Sequence, residues 1–396
     1  MVHLEISLLV LLAIAAAVAT LSVRVRMPYA IGLIIAGLAL SNVTSFSGPQ
    51  LTKDLLFLVV LPGLLFEGAF KLDFAEFSRA KYSILILAVP GLVVCTLVTA
   101  VLLWLGVNEL RPASVTFDEA LAFGALISAT DPISVLSLFR SLGVDNKLCT
   151  LIEGESLFND GTAVVLFTLV LGFAAGGDTG WMHVAWEFMR ITGLAALVGA
   201  LIGIGAGFLT RSIDDPTIEL TVTLLCAYGS FIVAELLGAS GVIACVLAGL
   251  VTGTWGARWM STPTRSAVDS FWSYAAFLLN SFIFLLIGTE IHLSTLAHYL
   301  PEILLGWAAV NVSRAAIVYL IYLVMRACGG RDFSLSSATL LTWGGLRGGL
   351  SMVLALALPS SFVHRELILH TTYGVVLLTL LVQGLTMKPL VRALAR

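Results

Sequence analysis

The strongest constraint on the fold of this chain is how its apolar runs are spaced. Charged, Pro and Gly clusters interrupt it repeatedly. Between them lie thirteen apolar runs, at roughly 6–23, 28–42, 54–71, 81–106, 119–140, 147–175, 184–210, 216–236, 239–256, 268–289, 300–326, 335–359 and 366–391. About 20 apolar residues in a helix cross a bilayer core of roughly 30 Å. Run after run meets that length, and the gaps between runs reach only about a dozen residues, too few for a soluble domain. The pattern predicts an all-α polytopic membrane protein of about thirteen transmembrane helices. Composition agrees: only 11% of the 396 residues are charged and 59% are hydrophobic, whereas soluble domains carry about 25% charged residues.

Other classes fall away on the same figures. A net charge of −3 gives no footprint for nucleic acid. The five cysteines (Cys95, Cys149, Cys226, Cys245 and Cys328) lie in or beside apolar runs and read as small hydrophobes, not as a disulfide framework. No Gly-x-x-x-x-Gly-Lys-Ser/Thr loop is present to bind a nucleotide. The opening Met-Val-His-Leu-Glu has no basic region and no small-residue cleavage site, so the first run reads as a span and not as a signal peptide.

Loop charges test the count. With the N-terminus outside, fifteen Lys and Arg fall on the inner side, from Arg24 and Arg26 through Arg331 to Lys388, Arg392 and Arg396. The outer side holds four: Lys53, Arg111, Arg190 and Arg365. One missed or invented helix would invert every later loop and erase this bias, which is the one the positive-inside rule expects. The orientation predicted is N-terminus outside, C-terminus cytoplasmic.

Ionisable residues at membrane depth point to function. Counting along the runs puts Asp131, Asp160, Arg314 and Arg347 near the midplane, Glu155 somewhat nearer the inner side, and Glu67 and Glu153 nearer the cytoplasmic ends. Glu153 reads equally well as an ordinary helix-end residue. In Ser128-Ala-Thr130-Asp131-Pro132, Pro132 deprives the Ser128 carbonyl of its helical donor. It also pushes Asp131 toward extended geometry. The prediction is an unwound segment with free carbonyls and a carboxylate, tolerated at that depth only where it lines a cavity. Along the sixth run, Glu155, Ser156, Asn159 and Asp160 fall within an arc of about 140° of one helix face. In the twelfth, Gly344, Gly345, Gly348 and Gly349 surround Arg347. Against Arg314 and Arg347 stand Glu67, Asp131, Glu155 and Asp160, so two acids lack a fixed cation and require a mobile one.

The broken runs are fifth in helices 1–6 and fifth in helices 8–13. Six spans plus a linker invert the second half relative to the first, the arrangement of a secondary transporter with a midplane site. One transporter domain over 1–396 is therefore expected, with inverted repeats at about 6–175 and 216–391 joined by a linker helix at about 184–210. The Gly199-x-x-x-Gly203-x-x-x-Gly207 stripe reads as a close-packing face.

These motifs resemble the NhaP/NHE branch of the monovalent cation/proton antiporters. The resemblance rests on Ser128–Pro132, on Glu153–Gly161, on Phe66-Glu67-Gly68, on Gly344–Gly348 and on Val382-Gln383-Gly384-Leu385-Thr386. It implies a homodimer with a dimerisation domain and a mobile core, exchanging Na⁺ for H⁺ with no further cofactor. By resemblance, Asp160, Asp131, Ser156, the Thr130 carbonyl and Glu67 line the Na⁺ site, Asn159 orients the unwound strand through Thr130, and Glu155 pairs with Arg347. Asn-Asp at 159–160, where electrogenic relatives carry Asp-Asp, implies electroneutral exchange. The long cytoplasmic tail of the animal members is not expected here. The leading expectation is thus a Na⁺(Li⁺)/H⁺ antiporter of the bacterial inner membrane, with K⁺/H⁺ exchange or a channel as alternatives. A hydrolase using Ser156 is not expected, because the six histidines all lie at run ends or in loops.

Overall fold

The computed structural model of the protein describes residues 2–25, 28–41, 53–111, 115–174, 180–327, 333–360 and 362–394. Cys328 and the loop cations Arg26, Arg331 and Arg396 lie outside them. Counting an interrupted helix once, and setting aside the short helix Leu293–His298, the described residues form thirteen helices. They are α1 (Val2–Val25), α2 (Tyr29–Ser41), α3 (53–71), α4 (Phe74–Leu110), α5 (117–141), α6 (Asn146–Ala174) and α7 (Trp181–Arg211). The remainder are α8 (Pro216–Leu236), α9 (Gly241–Thr254), α10 (Thr262–Glu290), α11 (Leu300–Ala327), α12 (335–356) and α13 (Arg365–Leu394). Eight of these are continuous and apolar enough to cross a membrane; the others are α1 to α3 and the interrupted α5 and α12.

Helix ends follow local chemistry. Asp73 accepts from the N–H groups of Ala75 and Glu76 and starts α4 seven residues before its apolar run. Thr116 and Glu119 form a reciprocal capping box at the start of α5. α10 likewise begins early, at Thr262, and its charged first turns carry an Arg265–Asp269 pair. In both α4 and α10 a polar helix end, capped by Asp73 in α4, lies beyond the stretch that hydropathy detects. Gly143 after α5 and Gly238 after α8 adopt positive φ (70° and 68°), the left-handed conformation that closes a helix end.

The helices pack mainly in two bundles. α1, α2, α3, α7, α8, α9 and α10 form one, and α4, α5, α6, α11, α12 and α13 the other. In the first, bare backbones meet. The α7 stripe lies against α9: a Cβ at Gly199 would stand 2.2 Å from the Ala244 carbonyl oxygen, and one at Gly207 would strike Trp255. α2 crosses α10 in the same way, with Gly37 on Gly288. Four described cysteines (Cys95, Cys149, Cys226 and Cys245) are buried and free.

The α2–α10 crossing yields a test. A Cβ at Gly37 would sit 2.1 Å from the Leu285 carbonyl oxygen and 2.8 Å from the Gly288 Cα. Neither is a side-chain atom that could rotate away. Gly37→Ala should cost about 1–3 kcal/mol, measured as a lower thermal midpoint of the detergent-solubilised protein. An unchanged midpoint would place the two helices farther apart.

Candidate cation site

Both interrupted helices break at the same place in space. α5 consists of Phe117–Ile127 and Ile133–Ser141, and α12 of Leu335–Trp343 and Gly349–Leu356. The unwound residues between the halves cross, and the Asp131 N–H donates to the Leu346 carbonyl at 2.8 Å. Each half-helix that ends at the crossing leaves carbonyls without helical donors, at its negative dipole end. Cations meet them there. Arg347 donates to the Ser128 and Ala129 carbonyls, the latter at 3.1 Å, and Arg314 reaches the Leu341 carbonyl at 3.3 Å. The Ser128 carbonyl freed by Pro132 is therefore satisfied by a guanidinium.

The pairing of Glu155 differs from expectation. Arg314 of α11, not Arg347, holds Glu155 through both carboxylate oxygens, one of them at 2.8 Å. The reason is local: Arg347 lies on the crossing strand beside two unpaired carbonyls and is consumed by them. Arg314 enters from α11 with its planar fork free for a bidentate contact. Around Ser128, Glu155, Asn159, Arg314 and Arg347 only about 10 Å³ of space remains. That is at the lower limit for one water, so this network is closed.

On the opposite side of the crossing, a cavity of about 290 Å³ opens between the two bundles. Thr130, Asp131, Ser156, Asp160 and Glu67, the five residues singled out in the sequence as cation-lining, all border it. Asp131 accepts one bond, from the Ile133 N–H at 3.0 Å, and its carboxylate lies against Gly348, where a Cβ would stand 2.4 Å from Oδ2. Asp160 has no hydrogen-bond or ion-pair partner among the described residues. Ser156 donates its hydroxyl to the Thr130 carbonyl, which keeps a second lone pair. Asn159 stands behind the strand, donating to Thr130 Oγ1 at 2.7 Å and accepting from the Thr130 N–H at 3.4 Å. Glu67 is bound by Lys71 at 2.6 Å, and Lys71 also donates to Ser273.

Glu153, which the sequence left equally open as a membrane-depth acid or a helix-end residue, borders the cavity and pairs with Arg140 at 2.9 Å. Two polar participants escaped the sequence reading. Lys71 neutralises Glu67. Asn280 lines the cavity from α10; its signal was present, a lone amide within the apolar run Phe277–Phe284.

Chemically, the lining offers hard oxygen ligands of mixed charge, suited to a monovalent or hard cation in transit. Among the described residues no three His, Cys, Asp or Glu side chains are gathered as a resident metal site would need. Ser156 donates to a backbone carbonyl and not to a base, the reverse of an activated nucleophile.

The revised pairing is measurable. Removing one partner of a buried ion pair costs roughly 3–5 kcal/mol, because the other is left charged and unpaired. Glu155→Ala and Arg314→Ala should each lose stability on that scale, and the double variant clearly less than their sum. Arg347→Ala should couple to Glu155→Ala more weakly. Stronger coupling to Arg347 in a double-mutant cycle of thermal midpoints would restore the pairing expected from resemblance.

Comparison with known proteins agrees with this architecture. Residues 9–393 match the family described as sodium/hydrogen exchanger, transmembrane. The low-affinity Na⁺/H⁺ antiporter NhaS1 of Synechocystis is 40% identical, over 98% of this chain and 74% of its own length. The Na⁺/H⁺ antiporter NhaP of Pseudomonas aeruginosa is 41% identical over 84% of this chain and 79% of its own. The sodium proton antiporter MjNhaP1 of Methanocaldococcus jannaschii shares the fold, with a TM-score of 0.79 at 20% identity over 98% of this chain and 97% of that one. The chain is a multi-pass membrane protein belonging to the sodium/hydrogen exchanger family, of the bacterial NhaP type.

Proposed function

We propose that the protein is a secondary-active Na⁺(Li⁺)/H⁺ antiporter of the plasma membrane. Na⁺ and H⁺ compete for a site at Asp160, completed by Asp131, Ser156, the Thr130 carbonyl and Glu67. The observation that carries this reading is the pair of carboxylates, Asp131 and Asp160, facing one cavity between two bundles with no basic partner. A bare carboxylate away from bulk water is disfavoured, so it must carry either a proton or a cation. Because one group serves both, loading one ion ejects the other, and exchange follows without ATP.

The architecture supports a cycle of alternating access. The bundle of α4, α5, α6, α11, α12 and α13 carries Asp160, Asp131, Ser156 and Thr130, while Glu67 stands on α3 of the other bundle. Movement of one bundle against the other exposes the site to each side in turn, as expected of inverted repeats. With the N-terminus outside, the cavity mouth near Lys71 and Arg140 faces the cytoplasm. The functional unit is a homodimer in which the second bundle is the static part.

Electroneutrality is the finest point. Arg314 and Glu155 cancel, Arg347 contributes a constant charge, and Asn159 adds no titrating proton. One Na⁺ replacing one H⁺ leaves the moving bundle with equal charge in both directions.

Two measurements in proteoliposomes test the reading. Asp160→Asn should abolish proton flux driven by Na⁺ or Li⁺ while the protein still inserts and melts cooperatively; substantial residual flux would remove Asp160 from the mechanism. At fixed ΔpH, a valinomycin-imposed K⁺ potential should leave the exchange rate unchanged. A rate that changes several-fold with the sign of the potential would sink one-for-one exchange, and flux driven by K⁺ alone would reassign the cargo.

A further inference from the structure

The two walls of the cavity differ in kind. The α5, α6 and α12 wall supplies Asp131, Asp160, Ser156 and the Thr130 carbonyl, and the mouth carries Glu67 and Glu153. The α10 wall is apolar, Ala276 and Ile283, except for Asn280. These three lie on one helix face at spacings of four and three residues. The residues beside Asn280 are turned elsewhere: Ser281 bonds Tyr29 at 2.7 Å, and Leu279 packs where a Cβ on Gly63 would stand. The Asn280 amide has no hydrogen-bond or ion-pair partner among the described residues.

An amide in the middle of a membrane helix is costly unless something satisfies it. One turn beyond Asn280, Ile283 presses on Gly349, where a Cβ would meet Ile283 Cδ1 at 2.3 Å. Asn280 is the polar group that α10 contributes to the lining, and it borders the same cavity as the two carboxylates. Its carbonyl oxygen is a neutral, hard ligand. Its NH₂ can hold a water or a carboxylate oxygen.

We infer that Asn280 is a specificity-determining residue that supplies the bound cation with an oxygen ligand from the opposite bundle, directly or through one water. This rests on the antiport reading above. A neutral oxygen added to an anionic site tightens cation binding without altering the charge balance between the cation-loaded and proton-loaded states. Because it belongs to the other bundle, its contact is made only while the site lies against α10. It discriminates ions by how closely the walls approach around them.

The test uses the full chain in proteoliposomes, with Na⁺, Li⁺ and K⁺ in turn as the driving ion. Wild-type exchange comes first: if no cation drives proton flux, the antiport reading fails and this inference with it. Given wild-type exchange, Asn280→Ala should raise the apparent KM for Na⁺ about five- to tenfold, the scale of one lost neutral polar contact. The maximal rate should stay within about twofold, and the ratio of Na⁺ to Li⁺ KM should change. Asn280→Gln should recover part of the affinity. A KM and an ion ratio both unchanged in Asn280→Ala would overturn the inference while leaving antiport intact. If Asn280→Ala fails to fold, Asn280→Asp decides. A further anionic oxygen there should lower the KM for Na⁺, and an unchanged KM would again overturn it. Stabilisation of the melting midpoint by Na⁺ in detergent supplies a reading independent of transport, and it should weaken in Asn280→Ala.

Discussion

Everything at the centre of this protein depends on satisfying backbone groups where there is no water. Two helices are cut open at the centre of the fold, and a cut helix leaves carbonyls at one end and N–H groups at the other. The crossing resolves both at once. The Asp131 N–H reaches the Leu346 carbonyl, Arg347 takes the carbonyls of Ser128 and Ala129, and Asp131 caps the N–H of Ile133. Gly348 is required because the Asp131 carboxylate occupies the space of any Cβ there. The α13 helix contributes from outside: Thr379 accepts from the Arg347 N–H at 3.3 Å, and Gln383 bonds Asn311 of α11. The motif Val382–Thr386 is therefore a brace for the crossing, with Thr386 accepting from Trp343 at 2.9 Å.

This division of labour separates fixed charge from mobile charge. The cations at the crossing have permanent work: Arg314 neutralises Glu155, and Arg347 is held by dipoles. They sit in a closed network behind the unwound strand. The two carboxylates on the other side have no such partner and face the open cavity. A single strand, Thr130-Asp131, separates the two environments, and Asn159 and Ser156 hold Thr130 from α6. In the proposed exchange, fixed charges contribute nothing to stoichiometry, and coupling depends only on what the cavity side binds.

Much of this was legible in the sequence because a bilayer allows few solutions. Thirteen apolar runs correspond to thirteen helices, and both breaks were visible where Pro132 and the Gly344–Gly349 cluster violate helix propensity at a depth that punishes irregularity. Helix periodicity put Ser156 and Asp160 on one polar face and the break marked Asp131, while their sharing one site was implied by the family resemblance. What periodicity lacks is distance between helices. Two arginines competed for one glutamate, and the choice depended on which stood next to the orphaned carbonyls. The early starts of α4 and α10 escaped because polar, charged turns look like loop to a hydropathy window. Lys71 escaped because it reads as one more cytoplasmic cation, and Asn280 because a lone amide in an apolar run gives no sign of which helix it faces.

The facing bundle has its own logic. Its glycine contacts, Gly37 on Gly288 and Gly199 on Ala244, bring backbones into direct apposition, and such packing tolerates little sliding. The bundle that holds Asp131 and Asp160 instead meets α3 and α10 across a cavity of about 290 Å³. A rigid half and a half bounded by open space suit the alternating access proposed above: in that cycle the closed crossing keeps its geometry as a unit while the surface it presents to α3 and α10 changes. On the same proposal, Asn280 of the α10 wall is the point at which the static half senses what the moving half carries.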